Sequence, residues 1–426
     1  MGRGEDVHAA VAHRIGRDVG RDRAGNLVDG AGLERHGRYH TPVTRWIAAT
    51  GAFVVSLDST VNVAFPAMTV AFAIPPERVR WVIVGYVFSY AITSFVAGAL
   101  ADRVGHGRVF RAGLALSAAA FLLATLAPTF GWLLLARVVQ GLGGGCVYGT
   151  VPGIVTLSAT PATRGRALGF LNAGIGLGFS AGPLLAGLLV GVFGWRSIFL
   201  LRLPLALGAL AWALCALPGA AAEPAARLVA ARDVLRAPVL LAGAQSFVAN
   251  AGIFAIWLLA PFYLVASRGL SVFDAGLLFT LTPVGTTLAA PVAGWLADRA
   301  GVRGPLVAGL AVEAVGLLLL SRADPTTSLV IVGLALLAAG FGVGLFQVTN
   351  MAQIMGAFVT AQQGAAGGFA FLSRTLGVVA GVLALAQLFA VRRVAVGLGP
   401  AAAEAFVAAG VTVALAAAAA IVVRVR

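Results

Sequence analysis

The sequence predicts an all-α membrane protein with twelve transmembrane helices in two pseudo-symmetric six-helix bundles. The 426 residues are 60% hydrophobic and only 11% charged, which is too little polar surface for a soluble chain of this size. Apolar runs of about 18–20 residues recur along the chain, and each is long enough to cross a hydrocarbon core of roughly 30 Å. One eleven-residue pattern also occurs twice, at corresponding places in the two halves.

The basic excess of the chain comes entirely from arginine. The net charge is +14, and the sequence contains no lysine. In a soluble protein this excess would suggest nucleic-acid binding. Here the arginines cluster at the ends of apolar segments, where they set topology and contact lipid headgroups. We therefore expect a lipid bilayer as partner, and no nucleic acid. Cys146 and Cys215 lie in apolar segments and are interpreted as inert packing residues.

Residues 1–44 differ from the rest of the chain, because they mix seven arginines with six acids and lack a long apolar run. We expect a disordered cytoplasmic tail, and no signal peptide, since no apolar region follows its basic residues. A second hydrophilic stretch, residues 219–236, is interpreted as a cytoplasmic linker. It separates an N-terminal bundle over residues 45–218 from a C-terminal bundle over residues 237–426.

The twelve apolar segments are expected at 46–66, 81–101, 110–127, 131–155, 168–192, 198–218, 237–263, 275–297, 305–321, 327–348, 365–390 and 402–423. Arginine placement favours a cell membrane protein with both termini in the cytoplasm. In that orientation twelve arginines lie on the inside and seven on the outside, not counting the tail and Arg45.

The repeated pattern closes the second and eighth segments. It is "GALADRVGHGR" at residues 98–108 and "GWLADRAGVRG" at residues 294–304, 196 residues apart. Two related halves that face each other across a pseudo-symmetric interface are typical of secondary transporters. The repeat does not indicate which substrate is carried.

Several motifs resemble those of the major facilitator superfamily. Residues 98–108 are similar to its loop motif between helices two and three through Gly98, Leu100, Asp102, Arg103, Gly105 and Arg108. "LLLARVVQGLGGG" resembles the fourth-helix motif through Arg137, Gln140 and Gly141. "GIGLGFSAGPLLAG" resembles the fifth-helix motif associated with antiporters through Gly174, Gly178, Gly182, Pro183 and Gly187. "VVSLDSTVNVAFPAM" (54–68), "GWRSIFLLRLP" (194–204) and "SRTLGVVAG" (373–381) resemble landmarks of the drug/proton antiporter branch, the multidrug efflux type.

The sequence departs from that branch in four ways. It has twelve predicted spans rather than fourteen, and His106 and Gly107 replace basic residues of the loop motif. One residue fewer separates Asp58 from Asn62 than in the usual pattern, which would rotate Asp58 by about 100°. Arg202 stands where an asparagine is common.

Asp58 is the residue expected to carry the coupling proton. A charged side chain in mid-membrane costs roughly 2.5–3.5 kcal/mol, and such residues are usually functional. At about 1.5 Å per residue, Asp58 and Arg137 lie at similar depths, roughly 18 and 21 Å from the cytoplasmic side. Because the resemblance makes helices one and four neighbours, we expect these two side chains to interact as a proton-coupling pair. Purely structural roles are the alternative for both.

The gating residues are expected at the helix ends and on the fifth helix. The resemblance implies that Asp102 latches the two halves in the outward-facing state, through Arg374 or the start of helix eleven. A solvated loop charge is the alternative. Small residues on the fifth helix permit close packing, and its proline favours a bend. The complete set of gating candidates is Gly98, Asp102, Arg103, Arg108, Asp298, Arg299, Arg374, Gly178, Gly182, Pro183 and Gly187.

A substrate cavity is expected where helices one, four, seven and ten meet, as the resemblance implies. An amphipathic lining of aromatic and amide groups suits hydrophobic or cationic organic compounds. The candidates are Asn62, Tyr86, Tyr90, Gln140, Gln245, Asn250, Trp257, Gln347 and Asn350, with ordinary helix packing as the alternative for each. Glu313 lies well inside span nine. It is interpreted as a second proton site, as a hydrogen-bonding group between helices or as a protonated bystander.

The sequence therefore predicts a monomeric, proton-coupled exporter of small hydrophobic or cationic organic compounds that works by alternating access. A proton-coupled uptake symporter for a small metabolite, and a non-transporting receptor or scaffold, are the alternatives. We expect no enzyme activity, because the chain has no convincing nucleophile–base set, phosphate loop or metal cluster. No cofactor is expected besides the coupling proton.

Overall fold

The computed structural model describes residues 42–74, 76–217, 231–261, 263–264, 268–270 and 272–422, and this part of the chain is helical with no strand. Its long helices, numbered in chain order, are α1 (Pro42–Ser56), α2 (Arg80–Val104), α3 (His106–Thr125), α4 (Phe130–Leu157), α5 (Arg164–Phe193), α6 (Ser197–Ala216), α7 (Ala237–Pro261), α8 (Val272–Ala300), α9 (Arg303–Ser321), α10 (Leu329–Ala357), α11 (Gln363–Val396) and α12 (Leu398–Val422).

The predicted fold class is confirmed. Within the described residues, eleven helices, α2 to α12, are long and apolar enough to span a membrane. The tail expected over residues 1–44 lies outside the described residues except for 42–44, which already belong to α1. Most of the expected linker also lies outside them, but a single helical turn, Ala231–Val234, precedes α7.

The first span is the exception, because it consists of several short helical segments rather than one long helix. After α1 the chain forms a 3₁₀ turn over Leu57–Ser59 and two short helices, Thr60–Val63 and Phe65–Phe72. Pro66 has no backbone N–H, so it cannot donate to the carbonyl of residue 62, and the α-helical ladder breaks there. A mid-helix 3₁₀ turn is often a functional hinge. Here the turn contains Asp58.

The two halves have separate cores and a shared one. One apolar cluster contains only residues of α7 to α12 and their connections, and another only residues of the N-terminal half. A third cluster combines both halves, with residues such as Leu168 of α5, Ala290 of α8 and Phe371 of α11. The halves therefore fold around their own interiors and meet along an apolar seam.

Arginines at helix starts satisfy carbonyls at the ends of neighbouring helices. The four pairs, at 2.6–3.5 Å, are Arg45 with Ser158, Arg111 with Leu217, Arg236 with Ala357 and Arg303 with Ala420. The first and third pairs occupy equivalent places in the two halves, and so do the second and fourth. A guanidinium at a helix C-terminus satisfies free carbonyls and opposes the negative end of the helix dipole. These arginines therefore hold the helix ends together, beyond the topological role expected of them.

Removing one such cap should weaken the C-terminal half. Arg303 donates to both Ala420 and Ile421 at the end of α12. Arg303→Gln should therefore cost about 1 kcal/mol of unfolding free energy, seen as a melting temperature lower by about 2–4 °C for the purified protein in detergent. Arg78→Gln, at an exposed position before α2, is the control. Equal shifts in the two variants would contradict the capping role.

Candidate functional site

A single carboxylate shared by two arginines lies inside the N-terminal bundle. Arg137 of α4 donates from Nη1 and Nη2 to Oδ1 and Oδ2 of Asp58, at 2.6 and 2.8 Å. Arg202 of α6 donates from Nη1 to Oδ1 at 3.0 Å, and Gln140 Nε2 donates to the same oxygen at 2.8 Å. The expected proximity of Asp58 and Arg137 is thus confirmed. The sequence analysis did not place Arg202 in this cluster. The one signal was that an arginine stands where an asparagine is common.

This cluster carries an excess of positive charge. One carboxylate and two guanidinium groups give a formal charge of +1. Arg137 and Arg202 are buried, with side-chain exposures of 1% and 0%, whereas Asp58 keeps 13%. Breaking a buried ion pair by removing one partner is strongly destabilising. Asp58 is therefore the group on which the burial of both arginines depends.

Each guanidinium also lies over an aromatic ring. The Arg137 guanidinium is 4.4 Å from the centre of Tyr86, and that of Arg202 is 4.3 Å from the centre of Phe121. Cation–π contacts in a desolvated site are worth about 2 kcal/mol. Arg137 Nε further donates to the Val82 carbonyl at 2.9 Å. These contacts offset part of the cost of burying two cations.

The 3₁₀ turn accounts for the direction of Asp58. A 3₁₀ helix turns by about 120° per residue against about 100° in an α-helix, so three residues add about 60° of rotation. The missing residue between Asp58 and Asn62 was expected to turn the carboxylate away from its usual direction. Instead, the carboxylate faces α4 and α6, and the backbone at Leu57–Ser59 is wound more tightly than an α-helix. The side chain of Asn62 lies outside the described part of the structure.

Aromatic rings link this cluster to the other half of the molecule. Tyr86 packs on Tyr90 at 5.4 Å between ring centres, Tyr90 on Tyr148 at 5.7 Å, and Tyr148 on Phe371 of α11 at 4.7 Å. The Tyr90 hydroxyl also lies 2.6 Å from Thr375 Oγ1. The two tyrosines of α2 expected in the cavity thus lie between the charge cluster and α11. Tyr148 was missed by the sequence because it lies in a glycine-rich stretch without a motif position.

Two further carboxylates join the halves at the end of the bundle where α2 and α8 end and α5 and α11 begin, which we call the latch face. Asp102 accepts hydrogen bonds from the backbone N–H groups of Gly364 and Ala365, at 2.7 and 2.9 Å. Of the two partners expected for Asp102, Arg374 and the start of helix eleven, the structure shows the second. Arg374 lies ten residues farther along α11 and lines a cleft.

The second half repeats this arrangement with α8 and α5. Asp298 accepts from the backbone N–H groups of Gly165 and Arg166, at 2.7 and 3.0 Å, and from Arg166 Nε at 3.1 Å. Each of these carboxylates lies at the C-terminal end of its own helix, where the dipole repels it, and at the N-terminal end of a helix of the other half, where the dipole attracts it. Their charge therefore favours contact between the halves.

Glycines bring helix backbones together both at the latch face and deeper in the bundle. A Cβ atom at Gly98 would clash with the Gly364 carbonyl across the interface. On α5, Gly178 and Gly182 pack against Ser56 and Ser59 of the first span. The other gating candidates make no such approach: Gly187, Arg103 and Arg108 are exposed, Pro183 is accommodated within continuous α5, and Arg299 lies over the Trp295 ring at 4.5 Å.

A narrow cleft between the halves, with a volume of about 10 Å³ and so room for one water molecule, gathers polar groups near the middle of the bundle. It is lined by Asn172 of α5, Ser246 of α7, Gln347, Asn350 and Met351 of α10, and Ala370, Phe371 and Arg374 of α11. Two of these residues, Gln347 and Asn350, were expected in the cavity. Arg374 was assigned to gating, and Asn172 was not singled out.

The remaining candidates lie elsewhere in the C-terminal half. Asn250 accepts a hydrogen bond from Gln347 Nε2 at 3.3 Å and so fixes the side chain of a residue that lines the cleft. Trp257 packs between Phe179 of α5 and Phe279 of α8, and Gln245 is buried on α7. Glu313 is completely buried beside Gly252 of α7 and does not line the cleft.

Comparison with known proteins identifies the family. The model of the Major Facilitator Superfamily matches residues 48–382 and 246–425. The chain belongs to the Major Facilitator Superfamily. It is therefore a multi-pass membrane transporter and not an enzyme, as predicted.

Curated relatives and solved structures of this superfamily agree with the fold. The chain is 27% identical over 401 residues to a riboflavin transporter of Clostridioides difficile, covering 81% of this chain and 87% of that protein. It is 27% identical over 428 residues to the tetracenomycin C resistance and export protein of Streptomyces glaucescens, covering 84% and 79%. The crystal structure of the human organic anion transporter MFSD10 superimposes with a TM-score of 0.69 at 17% identity, covering 89% and 100%.

In this superfamily member, the contribution of Arg202 to the free energy of unfolding should depend on the presence of the Asp58 carboxylate. Asp58→Asn leaves two buried guanidinium groups unpaired and should cost about 3–5 kcal/mol of unfolding free energy. Arg202→Asn should cost less, and the double variant should lose less than the sum of the two single variants. Unfolding of the purified protein in detergent measures each value, with Glu404→Gln as an exposed carboxylate control. If the double variant lost as much unfolding free energy as the two single variants together, the contribution of Arg202 would be independent of Asp58.

The latch carboxylates should hold the interface closed through their charge. Asp298→Asn keeps the side-chain shape but removes the charge at the N-terminus of α5, which is worth about 1 kcal/mol. We expect the separated population at the latch face to rise about fivefold. Electron–electron distances between spin labels at the exposed positions Ala162 and Ala300, with both cysteines replaced, would measure it. Asp274→Asn, at the opposite end of α8, is the matched control, and an unchanged distribution for Asp298→Asn would contradict the latch.

Proposed function

We propose that this transporter is a proton-coupled exporter of small hydrophobic organic compounds, working as a monomer in the cell membrane by alternating access. The observation that carries the proposal is the Asp58 carboxylate, which two buried arginines of α4 and α6 share deep in the N-terminal bundle. An ionisable group at membrane depth is expensive and is usually functional.

Proton binding at Asp58 would change the balance of this cluster. A neutral carboxyl group leaves two guanidinium groups facing each other without a counter-ion, so the contacts of Arg137 and Arg202 must rearrange. Both arginines belong to helices that pack within the same half, and the aromatic chain from Tyr86 continues to α11. Protonation at Asp58 is thereby proposed to bias the contact between the halves.

Alternating access would use the latch face as one of its two gates. With the latches formed, Asp102 and Asp298 hold α11 and α5 closed at that end. We propose that the latch face is cytoplasmic, with both termini on that side, because the arginine bias favours this orientation. The structure would then correspond to the state that opens to the outside.

The substrate class expected from the sequence needs one change. Hydrophobic substrates remain supported by the aromatic groups near the cleft. Cationic substrates are less well supported, since the described central region contains three arginines, Arg137, Arg202 and Arg374, but one carboxylate, Asp58, which the first two arginines bind. We therefore propose neutral or anionic compounds with an apolar body.

Export is favoured over uptake by the fifth-helix motif and by relatives named for resistance and export. Uptake by symport is the second candidate, because another similar protein is named a riboflavin transporter. The two candidates predict opposite directions of substrate movement under an inward proton gradient. No feature of the described residues favours a receptor or scaffold.

Proton coupling should depend on Asp58 in a way that separates it from substrate binding. In everted vesicles, a panel of dyes and antibiotics should show accumulation driven by the proton gradient. Asp58→Asn should abolish that accumulation, because an amide cannot take up and release the coupling proton, while substrate exchange without a gradient continues. Glu404→Gln, in an exposed pair with Arg392, is the control. Concentrative transport at the wild-type level by Asp58→Asn would rule out the assigned coupling role, and accumulation on the opposite side would favour uptake.

A further inference from the structure

Arg374 is a cation in the central cleft without an acidic partner. It lies on α11, about 15 Å along the helix from the Gly364 end that Asp102 caps. Asp58 is occupied by Arg137 and Arg202. In the described part of the chain no ion pair includes Arg374, and its side chain is half-buried among the cleft residues. A partly desolvated guanidinium without a counter-ion attracts an anion more strongly than one in water.

The neighbours of Arg374 add hydrogen-bonding groups but no negative charge. Asn172 is 3% exposed, and its Oδ1 has no hydrogen-bond partner among the described residues, so it can accept from a bound molecule. Asn350 Nδ2 is held by the Ala242 carbonyl at 2.9 Å, and Gln347 Nε2 by Asn250 at 3.3 Å. These bonds fix the amide side chains before a ligand arrives, which lowers the entropic cost of binding.

An aromatic wall stands one helical turn from the cation. Phe371 precedes Arg374 by three residues, so the two share a face of α11. Its ring is only 2% exposed while the halves are in contact, because it packs on Tyr148 of α4 at 4.7 Å between ring centres, and Tyr148 packs on Tyr90 at 5.7 Å. Separation of the halves would uncover this ring. Flat apolar surfaces beside one fixed polar group are typical of sites for small aromatic ligands.

We propose that this cleft, once the halves separate, binds an aromatic organic anion, with its carboxylate or sulfonate on the Arg374 guanidinium and its ring system against Phe371. The proposal rests on the proposed transport function, because it names the substrate class of the same cleft. A planar carboxylate matches the fork of donors on a guanidinium, and such bidentate pairs are among the strongest hydrogen bonds in proteins. An organic cation would meet Arg374 and the positively charged cluster around Asp58.

Three probes of one shape isolate the contribution of charge. They are 2-naphthoate, which is anionic, 2-naphthamide, which is neutral, and 2-naphthylmethylammonium, which is cationic. Binding to the purified full-length protein is measured by calorimetry, without any transport step. The naphthoate should bind at least about tenfold more tightly than the amide, as expected for a charge-assisted hydrogen bond, and the cation should bind more weakly than both.

Substitutions test whether Arg374 is responsible. Arg374→Gln should lose most of the preference for naphthoate, while binding of the neutral amide changes less than twofold. Arg374→Lys, which keeps the charge but not the fork, should recover part of the preference. Arg393→Gln, an exposed arginine on the same helix, is the matched control and should bind as wild type does. Melting temperatures of all variants show whether each has folded.

The outcomes separate this inference from the proposed function. Equal binding of naphthoate to wild type and to folded Arg374→Gln overturns the anion site, whether or not export is observed. Tighter binding of the cation than of naphthoate also overturns it. If naphthoate binds through Arg374 but no compound is moved out of cells, the anion site stands and the export function fails.

Discussion

The carboxylate of Asp58 is the constraint on which the interior of the N-terminal half depends. Two arginines from different helices would be costly there without it, since burying an unpaired ion costs several kcal/mol. The carboxylate brings the first span, α4 and α6 to one point, and the aromatic rings of Tyr86 and Phe121 cover the two cations. A change in the charge of this one group therefore acts on three helices at once.

The latch face uses a different electrostatic arrangement, because both of its carboxylates accept hydrogen bonds from the backbone N–H groups at a helix start, and Asp298 is also bonded to the side chain of Arg166. Asp102 and Asp298 each lie at the unfavourable end of their own helix and at the favourable end of a helix in the other half. Separation of the halves exposes these carboxylates to water, which solvates them. In the proposed cycle this solvation would offset part of the energy lost when the halves separate.

The sequence predicted much of this architecture but not its second arginine. Apolar runs and the repeated loop motif were sufficient for twelve spans. Depth along the helices paired Asp58 with Arg137 only together with the family resemblance, which implied that helices one and four are neighbours. Arg202 and Tyr148 escaped because the relative rotation of α4 and α6 follows from packing, which periodicity does not encode. The 3₁₀ turn at Asp58 escaped for a similar reason, since a single deleted residue can be absorbed by winding or by rotation. The repeat at Asp298 was visible, whereas its backbone partners on α5 were not.

The charge of the substrate determines how the proposed cycle is driven. An anion leaving a cell with a negative interior moves in the direction that the potential favours, and an entering proton does the same. One proton exchanged for one anion thus moves two elementary charges, worth about 4.6 kcal/mol per 100 mV. However, a proton on Asp58 and an anion on Arg374 attract each other. A cationic substrate can compete with the proton directly, whereas an anionic substrate cannot, so competition does not separate the two binding events. Export then requires that the latch assign the two binding events to different conformations. If both were bound in the same conformation, the same charges would produce symport and uptake.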